Sequence, residues 1–165
     1  MMEKSKSDSR EQQNAECYIA TEAENMLGCK FEHNAKVVIG EGVHIEPDLY
    51  SETEKIVCEI YAHIGNLKVG QQHKVSQDIL KMLLLDKCKG VRYRKVIFVA
   101  DDKVKRYLLG KSFIAESIRR FDIEVIKIEL PSEIYESVSK AQIRQIMKNA
   151  QSGCELYAAD SFAPR

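Results

Sequence analysis

Between Lys36 and His63 the chain lays out three strand-like segments whose connections are too short for a parallel crossover. Lys36 to Gly40 (KVVIG) and Val43 to Asp48 (VHIEPD) flank a Gly40-Glu41-Gly42 turn. Tyr50 to Glu54 is polar and reads as a second turn, and Lys55 to His63 (KIVCEIYAH) is the longest segment. Parallel neighbours need a crossover of about a dozen residues or more, so these three cannot all be parallel. Downstream, Lys95 to Ala100 (KVIFVA) is a continuous apolar run, the pattern of a strand buried on both faces. After a helical stretch comes Ile123 to Leu130 (IEVIKIEL), completing a β-α-β unit that right-handed crossover makes parallel.

Helical periodicity fills the remainder. Ala15, Ile19, Ala23 and Met26 define a helix over Glu11 to Leu27 that Gly28 stops. Val75, Ile79, Met82 and Leu83 define one over His73 to Lys87. Asp101 to Phe121 is helical with a break at Gly110, and a last helix starts at Pro131-Ser132 and runs to about Ala150. The predicted order is α-β-β-β-α-β-α-β-α: an α/β fold with a mixed central sheet and helices on both faces. A chain of 165 residues suits one core, placed here at 11–150, between a disordered lead-in at 1–10 and a loose tail at 151–165.

Lys plus Arg and Asp plus Glu each number 25, so the net charge is zero. A polycation is excluded; contact with nucleic acid would need a local basic patch, and little net repulsion opposes a homodimer. Lys87 to Lys95 (KCKGVRYRK) is the densest basic stretch, and Lys103, Lys105, Arg106, Lys111, Arg119 and Arg120 form a second set. The first reads equally as a solvated loop before a strand and is the better candidate for a nucleic-acid backbone; the second reads first as an ordinary charged helix face. Gly110-Lys111-Ser112 is no phosphate loop, because Val104 stands where that motif needs its first Gly. The five cysteines are odd in number with no CxxC, which points to small buried thiols in a reducing compartment rather than disulfides or zinc. With no membrane-length apolar run and no secretion signal in MMEKSKSDSR, the expectation is a cytoplasmic protein.

The chemistry concentrates in two strands. Val57, Glu59, Tyr61 and His63 alternate onto one face; His44, Glu46 and Asp48 share a face of the preceding strand, which Pro47 frays. Glu59 lies inside VCEIYA, and a lone carboxylate there costs several kcal/mol unless paired or bound to a metal. A site is therefore expected at Asp48 and Glu59.

The element order, the Pro47-Asp48 pair and the acid within the third strand resemble the PD-(D/E)XK nuclease superfamily, the restriction-endonuclease-like fold, over roughly Glu11 to Leu130. The tract EIYAHIGNLKVGQQHKVSQDILKMLLL is similar to a group of small uncharacterised bacterial proteins built on that fold. The resemblance implies that Asp48 and Glu59 hold Mg²⁺ or Mn²⁺, that a Glu of the first helix joins them (Glu16 or Glu24, with Glu22 also on that helix), and that DNA is the partner. It also implies a Lys two residues after Glu59, where this chain has Tyr61. Lys74, or Lys68 in the preceding loop, is the replacement cation; Lys74 reads equally as an i,i+4 partner of Asp78. Gln71, Gln72 and Gln77, with His63 and His73, flank the same region. Two functions follow: a metal-dependent nuclease hydrolysing DNA phosphodiesters, or a catalytically inactive nuclease-like module that binds DNA or a protein partner.

Overall fold

The computed structural model describes residues 6–160, with side chains from 10 to 151. The order is α1 (Lys6–Leu27), β1 (Glu32–His33), β2 (Val37–Gly40), β3 (Val43–Ile45), β4 (Leu49–Ser51), β5 (Ile56–Tyr61), α2 (Val69–Lys89), β6 (Arg94–Val99), α3 (Asp102–Leu108), α4 (Phe113–Arg120), β7 (Ile123–Lys127) and α5 (Ser132–Asp160). Five strands form one sheet in the order β1-β4-β5-β6-β7. The β1, β4 and β5 pairings are antiparallel, and β5, β6 and β7 are parallel. This is a mixed α/β fold with helices on both faces.

Alternation along the two central strands builds two cores. Val57 and Tyr61 of β5, with Ile97 and Val99 of β6, pack against α2, α3 and α4 through Val75, Ile79, Met82, Val104, Leu108, Ile114 and Ile118. Cys58, Ile60, Val96 and Phe98 face α1 and α5 through Ala15, Ile19, Ala23 and Val138. The period of two thus sorts one apolar strand between two helix layers.

Several boundaries differ from the sequence expectation. The strand expected over Val43 to Asp48 ends at Ile45, and β2 and β3 form a separate two-stranded hairpin that packs Val37 and Ile45 on the α2 side. The partner of β5 is instead Leu49–Ser51, buried throughout, where a polar turn was expected. Burial against both cores overrides the polar look of Tyr50 and Ser51. Helix α2 starts at Val69, not His73, because the amides of Gln71 and Gln72 bond to the Lys68 carbonyl at 2.9 and 3.0 Å and take Gly70 into the first turn. The stretch 101–121 is two helices; Ser112 Oγ caps the second by accepting from Ala115 N, and Arg119 donates to the Gly110 carbonyl at the break.

Helix α1 already begins at Lys6 and α5 continues to Asp160, so part of the expected lead-in and tail is helical; 1–5 and 161–165 lie outside the described residues. Of the cysteines expected as buried thiols, Cys58 is buried, Cys29 is half-buried, and Cys17 and Cys88 are exposed; all four are free. Among the described residues no helix is long and apolar enough to cross a membrane.

Candidate functional site

The antiparallel register pairs Leu49 with Cys58 and Tyr50 with Val57. One step further along the ladder brings Asp48 opposite Glu59. Pro47 has no amide proton to continue a ladder, and the strand is not continued by backbone there. Asp48 uses its side chain instead: Oδ2 accepts from the Ile60 amide at 2.7 Å. Its own carbonyl accepts from Asn34 N at 3.0 Å. Asp48 is therefore held from both sides at the end of β4.

Glu59 is 1% exposed. It points to the α2 side of the sheet, into a face of α2 that carries Lys74, Asp78 and Lys81 at i, i+4 and i+7. Lys81 Nζ stands 3.0 Å from Glu59 Oε1 and 2.7 Å from Asp78 Oδ1. Lys81 is thus the charge partner of this buried oxygen, which has no other donor among the described residues. Asp78 is buried as well; its Oδ2 receives the Lys74 ammonium at 2.9 Å and the Tyr61 hydroxyl. Lys74 Nζ also lies over the Tyr61 ring, 4.7 Å from its centroid.

Charge and burial act together on these groups. Burial, reinforced by the Asp78 and Asp48 charges, pushes the Glu59 acid well above the carboxylate range, against the pull of Lys81. Burial likewise raises the Tyr61 phenol, with Asp78 adding to it. Burial opposes the Lys74 and Lys81 ammoniums, but the surrounding carboxylates together outweigh it and keep both raised.

The first-helix candidates separate. Glu16 lines a cleft of about 380 Å³ together with Asp48, Cys17, His33, Leu49 and Ile60. Burial raises its pKa, a bond from Gln12 opposes this, and the nearby Asp48 charge adds to the rise. Glu24 lies eight residues on, about 12 Å along the helix. It accepts from Lys30 Nζ at 2.6 Å and Phe31 N at 3.2 Å, and sits 3.5 Å from His33 Nε2. Those bonds hold its acid down to about 2; it secures the turn from α1 into β1 and is not brought to Asp48.

The loop residues are largely committed to structure. Lys68 N donates to Gln71 Oε1 at 2.8 Å, which turns Gln71 Nε2 toward His63 Nδ1, also at 2.8 Å. His63 Nε2 then donates to the Asn66 carbonyl at 3.0 Å. Both ring nitrogens are used within the loop, and burial lowers the His63 pKa. Gln72 donates to the Leu67 carbonyl. Gln77, His73 and the Lys68 side chain are exposed, while His44 and Glu46 pair with each other at 3.2 Å on the hairpin.

The densest basic stretch is largely neutralised: Lys89 faces Glu52, Arg92 pairs with Asp122, Arg94 with Glu124, and the buried Lys95 with Asp86.

Lys81 is the member that sequence reasoning did not assign; Asp78 entered it only as the i,i+4 partner of Lys74, a pairing the structure shows at 2.9 Å. The signal for both was the polar line Lys74, Asp78, Lys81 running beside the apolar stripe of α2. Among the described residues no group of three or more His, Cys, Asp or Glu side chains converges closely enough to hold a metal ion. No protein-family model, curated protein or solved structure matches the chain.

Proposed function

We propose that this chain is a divalent-metal-dependent hydrolase of DNA phosphodiester bonds with a restriction-endonuclease-like core. Asp48 and Glu59 would hold Mg²⁺ or Mn²⁺, with Glu16 reaching in from α1. The observation that supports this reading is the buried Glu59 carboxylate, with Lys81 as the sole partner of its Oε1 among the described residues, next to Ile60, whose amide Asp48 holds. Fully ionised, Glu16, Asp48, Glu59 and Asp78 set four carboxylates against the ammoniums of Lys74 and Lys81. The surplus matches the charge of one divalent ion. Oxygen donors suit these ions, and Mg²⁺ takes only one or two protein carboxylates, leaving other positions to water and phosphate. Bound there, the ion would acidify water and offset charge on the phosphate.

The chain's own residues divide the remaining work. Lys74 is half-exposed at the rim, with Asp78 and the Tyr61 ring fixing its ammonium. It is the cation available to a phosphate oxygen. Tyr61 replaces the expected strand Lys, and its hydroxyl is turned inward to Asp78. Its part is to seat Lys74, not to meet substrate.

A second reading, a nuclease-like module without catalysis, is favoured by one contact: Lys81 already compensates Glu59. The test is incubation with Mn²⁺ and linear, nicked and single-stranded DNA. Cleavage that Asp48→Ala and Lys74→Ala both abolish supports the enzyme. Salt-sensitive binding without cleavage supports the module, and neither activity removes the DNA connection.

A further inference from the structure

The segment from α3 to α4 concentrates positive charge. The molecule is neutral overall, yet 102–120 holds six cations and two carboxylates. Both carboxylates are taken: Asp102 pairs with Lys127 at 2.8 Å, and Glu116 with Arg119 at 2.7 Å and Arg120 at 2.8 Å. Among the described residues no carboxylate pairs with Lys103, Lys105, Arg106 or Lys111. This is the reverse of the 87–95 stretch, where every cation but Lys87 faces an acid. Lys105, Arg106 and Leu109 line one shallow depression together with Asp102, whose carboxylate is held by Lys127. Two residues past Lys111 stands Phe113, 78% exposed, the most exposed large hydrophobic side chain among those described.

An aromatic ring left in water on a segment that carries unpaired cations has a defined complement. A base offers a π-face and its backbone offers phosphates, and stacking of this kind tolerates any base. In a duplex the base faces are covered by their neighbours, so only an unpaired strand can present one to Phe113. We propose that the α3–α4 corner binds single-stranded nucleic acid, with Phe113 stacking on a base and Lys105, Arg106 and Lys111 meeting the phosphates. The choice of partner rests on the phosphodiester reading above. The corner lies on the α2 side of the sheet, beside β7, which is two strand spacings, about 10 Å, from the β5 that carries Glu59. One strand could span both.

The natural sequence contains no Trp, so Phe113→Trp makes a single fluorescent reporter on a surface position. The protein is titrated with oligo(dT) in a chelating buffer, where cleavage plays no part. The expected result is saturable quenching at low salt. Affinity should fall as salt rises, with a log–log slope reduced by about 1.4 in the Lys105→Ala/Lys111→Ala background, at about 0.7 for each phosphate no longer neutralised. By anisotropy in the protein without the reporter, Phe113→Ala should weaken binding about tenfold. Absence of quenching, equal quenching by duplex, or binding unchanged by the double lysine variant would each overturn the proposal. A wild-type protein that gives this quenching but never cuts DNA when Mn²⁺ is supplied fails the hydrolase reading alone. One that cuts but leaves the emission of the tryptophan reporter unchanged fails this inference alone.

Discussion

Lys81 on α2 bridges two buried acids, standing 3.0 Å from Glu59 Oε1 and 2.7 Å from Asp78 Oδ1. It ties helix to sheet by charge at a point where apolar packing would cost nothing in desolvation. Such an arrangement is weak as a source of stability and expensive to break, because the surviving charges stay buried.

Lys81→Met should therefore destabilise the fold by about 2–4 kcal/mol, somewhat below the value for a fully buried pair because the lysine is partly exposed. Urea unfolding gives the measurement. Adding Glu59→Gln should recover more than half of the loss, since the uncompensated carboxylate is then gone. If the double variant is no better, Lys81 acts through the packing of its aliphatic stem.

Glu59 also predicts a pH dependence. Its acid is raised from the ordinary 4.5 to about 8 by burial and by the Asp78 and Asp48 charges. Between those values the folded chain binds more protons than the unfolded chain, so stability falls as pH rises through that window. In chelating buffer, Glu59→Gln should flatten the fall. An unchanged slope would assign it to other groups, Glu16 first.

Tyr61→Phe removes one donor from buried Asp78 while leaving the ring beneath Lys74. The expected cost is about 1–2 kcal/mol. Cleavage per folded molecule should persist, because the hydroxyl faces Asp78 and not the cleft. Loss of cleavage with unchanged stability would make the phenol itself a catalytic group.

Asp48 and Glu59 are legible in the sequence because a carboxylate inside VCEIYA breaks an apolar run, and Pro47 marks where the neighbouring strand must end. Asp78 and Lys81 are not legible in the same way. On a helix, polar residues beside an apolar stripe look solvated, and only the approach of β5 makes them interior. The hairpin shows itself as two strands joined at Gly40-Glu41-Gly42, but its detachment from the main sheet does not. Nothing local distinguishes a strand that joins β5 from one that stops at Ile45. Three buried residues, Leu49–Ser51, are hidden for a related reason: a Tyr and a Ser look like a turn until the tertiary contacts are known.

Gln142 gives a separate check on the loop that leads into α2. Its side-chain oxygen accepts from Ile64 N at 2.9 Å, and its nitrogen donates to Ile64 O at 2.8 Å, so α5 grips the loop as a strand would. Gln142→Leu leaves both backbone groups without that partner. The Ile64 amide should exchange with solvent deuterium at least about tenfold faster, a local opening of roughly 1.4 kcal/mol or more. Unchanged exchange would mean that the His63–Gln71 bonds alone hold the loop.

Metal binding tests the acidic residues one at a time. A ligand that binds only the folded chain stabilises it, by about 2.7 kcal/mol at a hundred times Kd. For a domain of this size that is a rise in Tm of roughly 5–10 °C. Mn²⁺ should produce it in the wild type. Asp48→Asn keeps an oxygen for the Ile60 amide and removes only the charge, so it should fold and lose the shift. Glu59→Gln should lose it too, while being at least as stable as wild type without metal. The two first-helix acids then part company: Glu16→Gln, beside Asp48 in the cleft, should reduce the shift, and Glu24→Gln, occupied by Lys30 and Phe31, should leave it whole. A shift that survives in both Asp48→Asn and Glu59→Gln would put the ion elsewhere and end the hydrolase reading.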